Sequence, residues 1–215
     1  MPKVIISMDF NTFLSKVPLI KTKRLGGLDA QFKLAPEMRL RYSENKIKAL
    51  NPRKAAVLAL FYPNEASQTC ILLTKRASYK GTHSAQVSFP GGKVDKTDKN
   101  LQETALREAH EEMGIPKNLV TVLRETTDVY IPPSNFLATP FIAVSSQKPD
   151  FIMNEEVAET IEVLVADLLN DANISAVNLS TSYATNINVP CFKLNNYTVW
   201  GATAMMLSEI RELLI

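Results

Sequence analysis

The stretch that most restricts this chain runs over residues 89–116, FPGGKVDKTDKNLQETALREAHEEMGIP. It reads as a glycine-containing turn, a short acidic loop and a helix that ends abruptly. Thr97 or Asp98 is placed to cap the helix N-terminus, because a short oxygen side chain accepts from N–H groups that the first turn leaves unpaired. Leu101, Ala105, Ala109 and Met113 recur every four residues and would bury one stripe. Gly114 follows the last of them and Pro116 bars continuation, which together make a C-terminal stop.

The polar face of that helix carries the chemistry. Glu108, Glu111 and Glu112 stand at i, i+3 and i+4, so their carboxylates project from adjacent turns, and Arg107 and Glu103 extend the same face. Like charges so close repel one another unless something cationic compensates. A hard divalent ion, Mg²⁺ or Mn²⁺, takes oxygen ligands and shares its shell with water and phosphate. The plain alternative is a solvated acidic helix. The Gly91-Gly92 turn upstream and the Gly114 stop downstream favour the metal.

The run Arg107-Glu108-Ala109-His110-Glu111-Glu112-Met113-Gly114-Ile115 resembles the second half of the Nudix box: Arg-Glu, aliphatic, any, Glu-Glu, any, Gly, aliphatic. The first half differs by one inserted residue. Together with Asp95 and Asp98, that insertion is similar to the coenzyme A pyrophosphatase branch of the superfamily. Upstream, Leu72-Leu73-Thr74-Lys75-Arg76 and Phe89-Pro90-Gly91-Gly92 resemble the same branch, whose intervening Arg and Gly fall on Gly81 and Ala85 here. Downstream, Ile131-Pro132-Pro133-Ser134-Asn135-Phe136, Glu156-Val157 and Val199-Trp200-Gly201-Ala202-Thr203-Ala204 continue the likeness, which spans roughly residues 54–207.

The resemblance implies a mixed β-sheet sandwiched between helices and a metal-dependent pyrophosphatase. Its substrate would be coenzyme A or an acyl derivative, cleaved to 3′,5′-ADP and a 4′-phosphopantetheine product. Glu108, Glu111 and Glu112 would hold the metal with a backbone carbonyl from Gly92. Arg107 would orient a carboxylate through a charge-assisted bond. The general base would be Glu108, Glu111 or Glu156, the last of which is otherwise half of a surface pair with Glu155. Arg76, Lys80, Phe89 and Gly91 are candidate substrate contacts. His83 is either a phosphate contact or a structural histidine, and Tyr130 and Phe136 either line a substrate pocket or belong to the core. Two other readings stay open: the same chemistry on ADP-ribose, dinucleotides or nucleoside triphosphates, and a sensor with the fold but no turnover.

Composition narrows the remaining classes. Lys and Arg (24) nearly balance Asp and Glu (22), for a net charge of +2, which argues against a dedicated nucleic-acid or membrane surface. No window approaches the ~18 apolar residues of a membrane span, and the first residues lack a signal-type apolar run, so a cytoplasmic setting is expected. Cys70 and Cys191 lie far apart within strand-like runs and read as buried thiols. The partner expected is a nucleotide-type small molecule, with a homodimer as an open option.

Along the chain, residues 7–20 suggest a helix capped near Asp9 and closed by Pro18. Residues 21–50 read as an extended lead-in with a short helix, so that residues 1–50 would pack on a domain of residues 51–215. Strands are expected at 54–62, 69–76, 119–124, 126–131, 140–146, 158–165 and 189–200. A helical turn at 166–171, a Ser/Asn-rich stretch at 173–186 and a helix at 202–215 complete the order. Helices interspersed among mostly antiparallel strands make the class α+β. Trp200, at a strand-to-helix junction, reads as a packing residue.

Overall fold

The computed structural model describes residues 8–77, 86–181 and 184–215. Lys80, Gly81, His83 and Ala85 lie outside these residues.

The apolar run expected at residues 54–62 becomes the spine, β1 (Arg53–Pro63). Ala55, Ala59 and Phe61 face one core, while Ala56, Leu58, Leu60 and Tyr62 face another. A strand covered on both faces has no solvent side, which is why its apolar run is unbroken. On the first face lie α1 (Phe10–Thr22), α2 (Gly27–Phe32) and, beyond the short α3 (Glu44–Ala49), the last helix of the chain. Phe13 stacks on Phe61 with ring centroids 4.7 Å apart.

β2 (Thr69–Arg76) pairs antiparallel with β1 at Phe61, Tyr62 and Pro63. After the two-residue β3 (Val87–Ser88), β4 (Gly91–Lys93) takes the same edge of β1 lower down, at Ala55, Ala56 and Val57. Between them Leu58 donates to the Pro90 carbonyl at 2.9 Å. The glycine turn is thereby wedged where β1 and β2 part. α4 (Leu101–Met113) follows and covers the second face, with Ala105, Ala109 and Met113 buried against β1. Small alanines let the helix approach the sheet closely, and Met113, fully buried, contributes roughly 1.5–3 kcal/mol of apolar burial.

The other edge of β1 is parallel to β7 (Phe136–Val144), which also pairs with β5 (Thr121–Glu125) and β6 (Val129–Ile131). β8 (Val157–Leu164) pairs with β2. Among the described residues these strands form one eight-stranded mixed sheet. After α5 (Val165–Leu169), a three-stranded antiparallel sheet of β9 (Ile174–Thr181), β10 (Ala184–Leu194) and β11 (Tyr197–Trp200) leads into α6 (Gly201–Leu214). The α+β class and the helix–sheet–helix sandwich expected from the sequence are what the chain forms.

Several boundaries differ. Pro18 sits inside α1, which runs on to Thr22. The proline removes one hydrogen bond, but Ile20 beyond it is completely buried and keeps the helix docked. The cap of α4 is Asn100, whose Oδ1 accepts from Glu103 N at 2.9 Å; Asp98 is engaged elsewhere and Thr97 caps nothing. β7 starts at Phe136, four residues before Pro140. The Ser/Asn-rich stretch at 173–186 holds strand β9 and the start of β10 among its described residues. The strand expected at 189–200 is a hairpin, because Asn195 and Asn196 (φ 48° and 65°) make the left-handed two-residue turn that matches strand twist.

Candidate active site

The glycine turn is pressed between β1 and α4, with Gly91 against the β1 backbone and Gly92 against the end of the Glu108 side chain. Gly91 has φ 153°, and a Cβ there would lie 2.4 Å from the Ala56 carbonyl oxygen. A Cβ on Gly92 would lie 2.5–2.6 Å from all three carboxyl atoms of Glu108. The turn therefore lets a carboxylate rest directly against main chain. Gly91 N–H donates to Glu112 Oε2 at 2.9 Å, fixing a second carboxylate of the same helix face.

Two arginines hold the rest. Arg107 donates through Nε to Asp98 Oδ1 and through Nη2 to Asp98 Oδ2, both at 2.9 Å. It also donates through Nη1 to Glu108 Oε1 and Glu111 Oε2, each at 2.9 Å, and through Nη2 to the Lys93 carbonyl at 3.0 Å. Arg76, from β2, donates to Glu112 Oε1 at 3.2 Å and to Glu156 Oε2 at 2.9 Å. Arg107 thus orients carboxylates, and Asp98 is its main anchor. Asp98 also accepts from Thr104 Oγ1 at 2.8 Å and from Asp95 N–H at 2.9 Å.

The electrostatics follow. The Arg107 guanidinium holds the Asp98 carboxyl well below the usual carboxylate range. Burial pushes Glu112 up to about 7, with the negative charges of Glu108 and Glu156 adding to the shift against the Gly91 N–H and Arg76. Burial likewise raises Glu108, opposed by Arg107 and reinforced by Glu111 and Glu156.

These groups line one cleft of about 560 Å³. Arg76, Phe89, Gly91, Gly92, Phe136 and Glu156 reach it together with Arg107, Glu108, Glu111 and Glu112. Tyr130 does not: its hydroxyl donates to Asn135 Oδ1 at 3.0 Å, and its ring packs on Tyr42 in a smaller, second cavity. Lys80 and His83 fall outside the described residues. Arg39, Lys93 and Trp200 line the cleft although sequence reasoning did not assign them there. Trp200 carried a signal, its place at the start of α6. Arg39 carried none, because it arrives from the lead-in and is held by donating to the Tyr130 carbonyl.

The carboxylates suit a hard divalent ion. Among the described residues no three Asp, Glu, His or Cys side chains already converge on one centre. The reason is visible: Glu108, Glu111 and Glu156 each give one oxygen to an arginine, leaving Glu108 Oε2, Glu111 Oε1 and Glu156 Oε1. The neighbouring charges of Glu111 and Glu156 help raise Glu108, so negative charge remains that the two arginines do not offset, and an oxygen-seeking divalent ion would offset it.

The architecture and the cleft define a class: a mixed sheet between helices, with a glycine turn packed against the carboxylates of one short helix. The chain matches the family model for the NUDIX domain over residues 52–178, more than half its length. It belongs to the Nudix hydrolase family. A relative from Enterobacter sp. (strain 638), described as an uncharacterized Nudix hydrolase NudL, is 36% identical over 168 residues, covering 75% of this chain and 82% of its own. One of the same description from Yersinia pestis (strain Pestoides F) is 32% identical over 165 residues, covering 76% and 80%. The NUDIX domain of Shewanella oneidensis NrtR, solved with ADP ribose, shares 17% identity and a TM-score of 0.52 over 82% of this chain and 96% of that one, a likeness of fold. Nudix hydrolases generally use divalent metals.

Proposed function

We propose that this chain is a Mg²⁺- or Mn²⁺-dependent pyrophosphatase that hydrolyses the diphosphate linkage of coenzyme A or an acyl derivative to 3′,5′-ADP and a 4′-phosphopantetheine product. One observation carries the reading. The segments that resemble coenzyme A pyrophosphatases, around Arg76, Phe89–Gly92, Ile131–Phe136 and Trp200–Thr203, are far apart in sequence and line the same cleft as the carboxylates.

Glu108, Glu111 and Glu112, with the Gly92 carbonyl, hold the ion. When bound, such an ion neutralises charge on phosphoryl oxygens and acidifies water. Arg107 keeps Glu108 and Glu111 on one side of the cleft and is itself held by Asp98. Arg76 steadies Glu112 and Glu156. Glu156, through Oε1, takes the proton of the attacking water. Phe89 and Phe136 border the organic part of the substrate.

The test is product analysis with coenzyme A, ADP-ribose and a nucleoside triphosphate offered separately, with Mg²⁺ and with chelator. Metal-dependent release of 3′,5′-ADP from coenzyme A is expected. Cleavage of ADP-ribose or the triphosphate in its place would discard the coenzyme A assignment and keep the chemistry. Glu156→Gln should lower kcat by roughly 10²–10⁴-fold with Mn²⁺ affinity unchanged, whereas Glu108→Gln should lower both.

A further inference from the structure

Arg39 enters the cleft from the lead-in, outside the residues 52–178 that match the NUDIX domain. It is half-buried, and its Nη1 donates to the Tyr130 carbonyl, a bond that fixes the guanidinium without itself cancelling its charge. The segment around it clasps the loop that follows β6. The Tyr42 and Tyr130 rings meet at 56° with centroids 5.2 Å apart. Asn135 Nδ2 donates to the Leu50 carbonyl at 3.2 Å. Arg53 donates to the Ser134 carbonyl at 3.0 Å and stands 4.2 Å from the centre of the Phe136 ring. Arg39 is therefore placed by the fold and not by a loose tail. It stands where the cleft meets the smaller cavity, whose lining contains none of the cleft's carboxylates.

Among the described residues, four carboxylates and four cations line the cleft. Arg76 and Arg107 donate to those carboxylates. Arg39 and Lys93 are the other two cations. A divalent ion answers the charge of the diphosphate being cleaved. A phosphate monoester elsewhere on the substrate carries roughly −1.5 to −2 at neutral pH and needs a cation of its own. Arginine suits it, because its planar fork meets phosphate oxygens two at a time, and five N–H donors let it hold a carbonyl and a phosphate together. We propose that Arg39 binds a phosphate monoester of the substrate, separate from the scissile diphosphate, and so selects for substrates that carry one. The inference rests on the coenzyme A reading, in which that group is the 3′-phosphate; ADP-ribose has none.

The full chain is titrated calorimetrically, with Mg²⁺ present, with 3′,5′-ADP and with 5′-AMP, which differ only in the 3′-phosphate. The parent should bind 3′,5′-ADP about 10–100-fold more tightly than AMP, the range for a charge-assisted hydrogen bond. Arg39→Gln should bring the two affinities within about threefold by weakening 3′,5′-ADP alone, and Arg39→Lys should recover part of the difference, since a point charge replaces the fork. Circular dichroism, and an AMP affinity that does not move, check that both variants keep the fold. In turnover, kcat/KM of Arg39→Gln should fall on coenzyme A, through KM, and stay level on 3′-dephospho-coenzyme A. The inference is overturned by absence of binding or equal affinities in the parent, or by a preference that survives in Arg39→Gln; coenzyme A hydrolysis alongside either result leaves the proposed function standing. A preference that Arg39→Gln removes, without hydrolysis of coenzyme A, upholds the phosphate site and discards that function.

Discussion

Gly92→Ala isolates the link between the glycine turn and the chemistry. The backbone at Gly92 is not in the left-handed region, so alanine meets no conformational strain there. What it meets is Glu108: the new Cβ would stand 2.5–2.6 Å from the carboxyl atoms, where ordinary contact begins at 3.4 Å. The carboxylate must therefore retreat by about 0.8 Å, the gap between 2.6 and 3.4 Å. Glu108 is flexible enough to make that movement, and we expect the movement to break the 2.9 Å bond from Arg107. Loss of that charge-assisted bond at a half-buried site costs about 1 kcal/mol after allowance for solvent screening. The alanine recovers about 0.4–1 kcal/mol by restricting the unfolded chain, so stability should change by less than about 1 kcal/mol.

Activity should respond far more, because a displacement near 1 Å of a group that positions reactants costs about 10²-fold, equivalent to roughly 2.7 kcal/mol of barrier. The assay compares kcat/KM on whichever substrate the parent cleaves, with Mn²⁺ affinity measured by electron paramagnetic resonance and stability by urea unfolding. Adding Glu108→Asp shortens the side chain by one methylene and should recover part of the lost Mn²⁺ affinity, a coupling that independent sites would not show. A Gly92→Ala protein within threefold of the parent in both kcat/KM and Mn²⁺ affinity would refute the reasoning. So would destabilisation above about 3 kcal/mol, since glycine would then be needed by the backbone rather than by Glu108.

Glu209 is completely buried and accepts from Gly27 N, Gln31 Nε2, Thr127 N and Thr127 Oγ1 at 2.6–3.2 Å. Glu209→Leu orphans these donors and should cost at least about 3 kcal/mol in urea unfolding, at roughly 1–3 kcal/mol for each buried group left unpaired; a cost under 1 kcal/mol would show that water replaces them. In chelator, stability should peak near pH 4–5. Asp98 is depressed by Arg107, so its contribution is present above an ordinary carboxylate value of about 4 and is lost as pH falls below that. Glu112 is raised to about 7, so the folded chain binds its proton more tightly and stability falls as pH climbs from about 4 to 7. Excess Mg²⁺ should remove the second slope, and a flat profile in chelator would contradict both assignments. Burial pushes the Cys70 thiol up to about 11 and raises Cys191 as well. Neither should react with iodoacetamide at pH 8 until the chain is unfolded, and mass spectrometry before and after denaturation checks this.

The helix half of the site was legible because everything it needs is local. Ala105, Ala109 and Met113 share a face by spacing, Gly114 ends the helix, and Glu108, Glu111 and Glu112 cluster along one flank of that face, with Glu112 buried beside it. What spacing cannot encode is which distant group answers those charges. Asp98 looked like a cap because short acidic residues before a helix usually are; Arg107 took it instead, and Asn100 assumed the capping role. Arg76 reaches Glu112 only because β2 leaves β1 where the glycine turn enters, a consequence of sheet register. Arg39 reaches the cleft wall by bonding a carbonyl 91 positions away. Polar β9 was missed for a related reason: it lies in the smaller sheet, paired with β10, where an apolar run is not required. Local periodicity therefore identified the acidic half of the site, while the cationic half depended on contacts that only the assembled sheet creates. The arginines also explain why sequence alone overstates the repulsion among the glutamates. Arg107 and Arg76 already neutralise part of it, so a divalent ion must compete with two guanidinium groups for oxygens whose positions they have set.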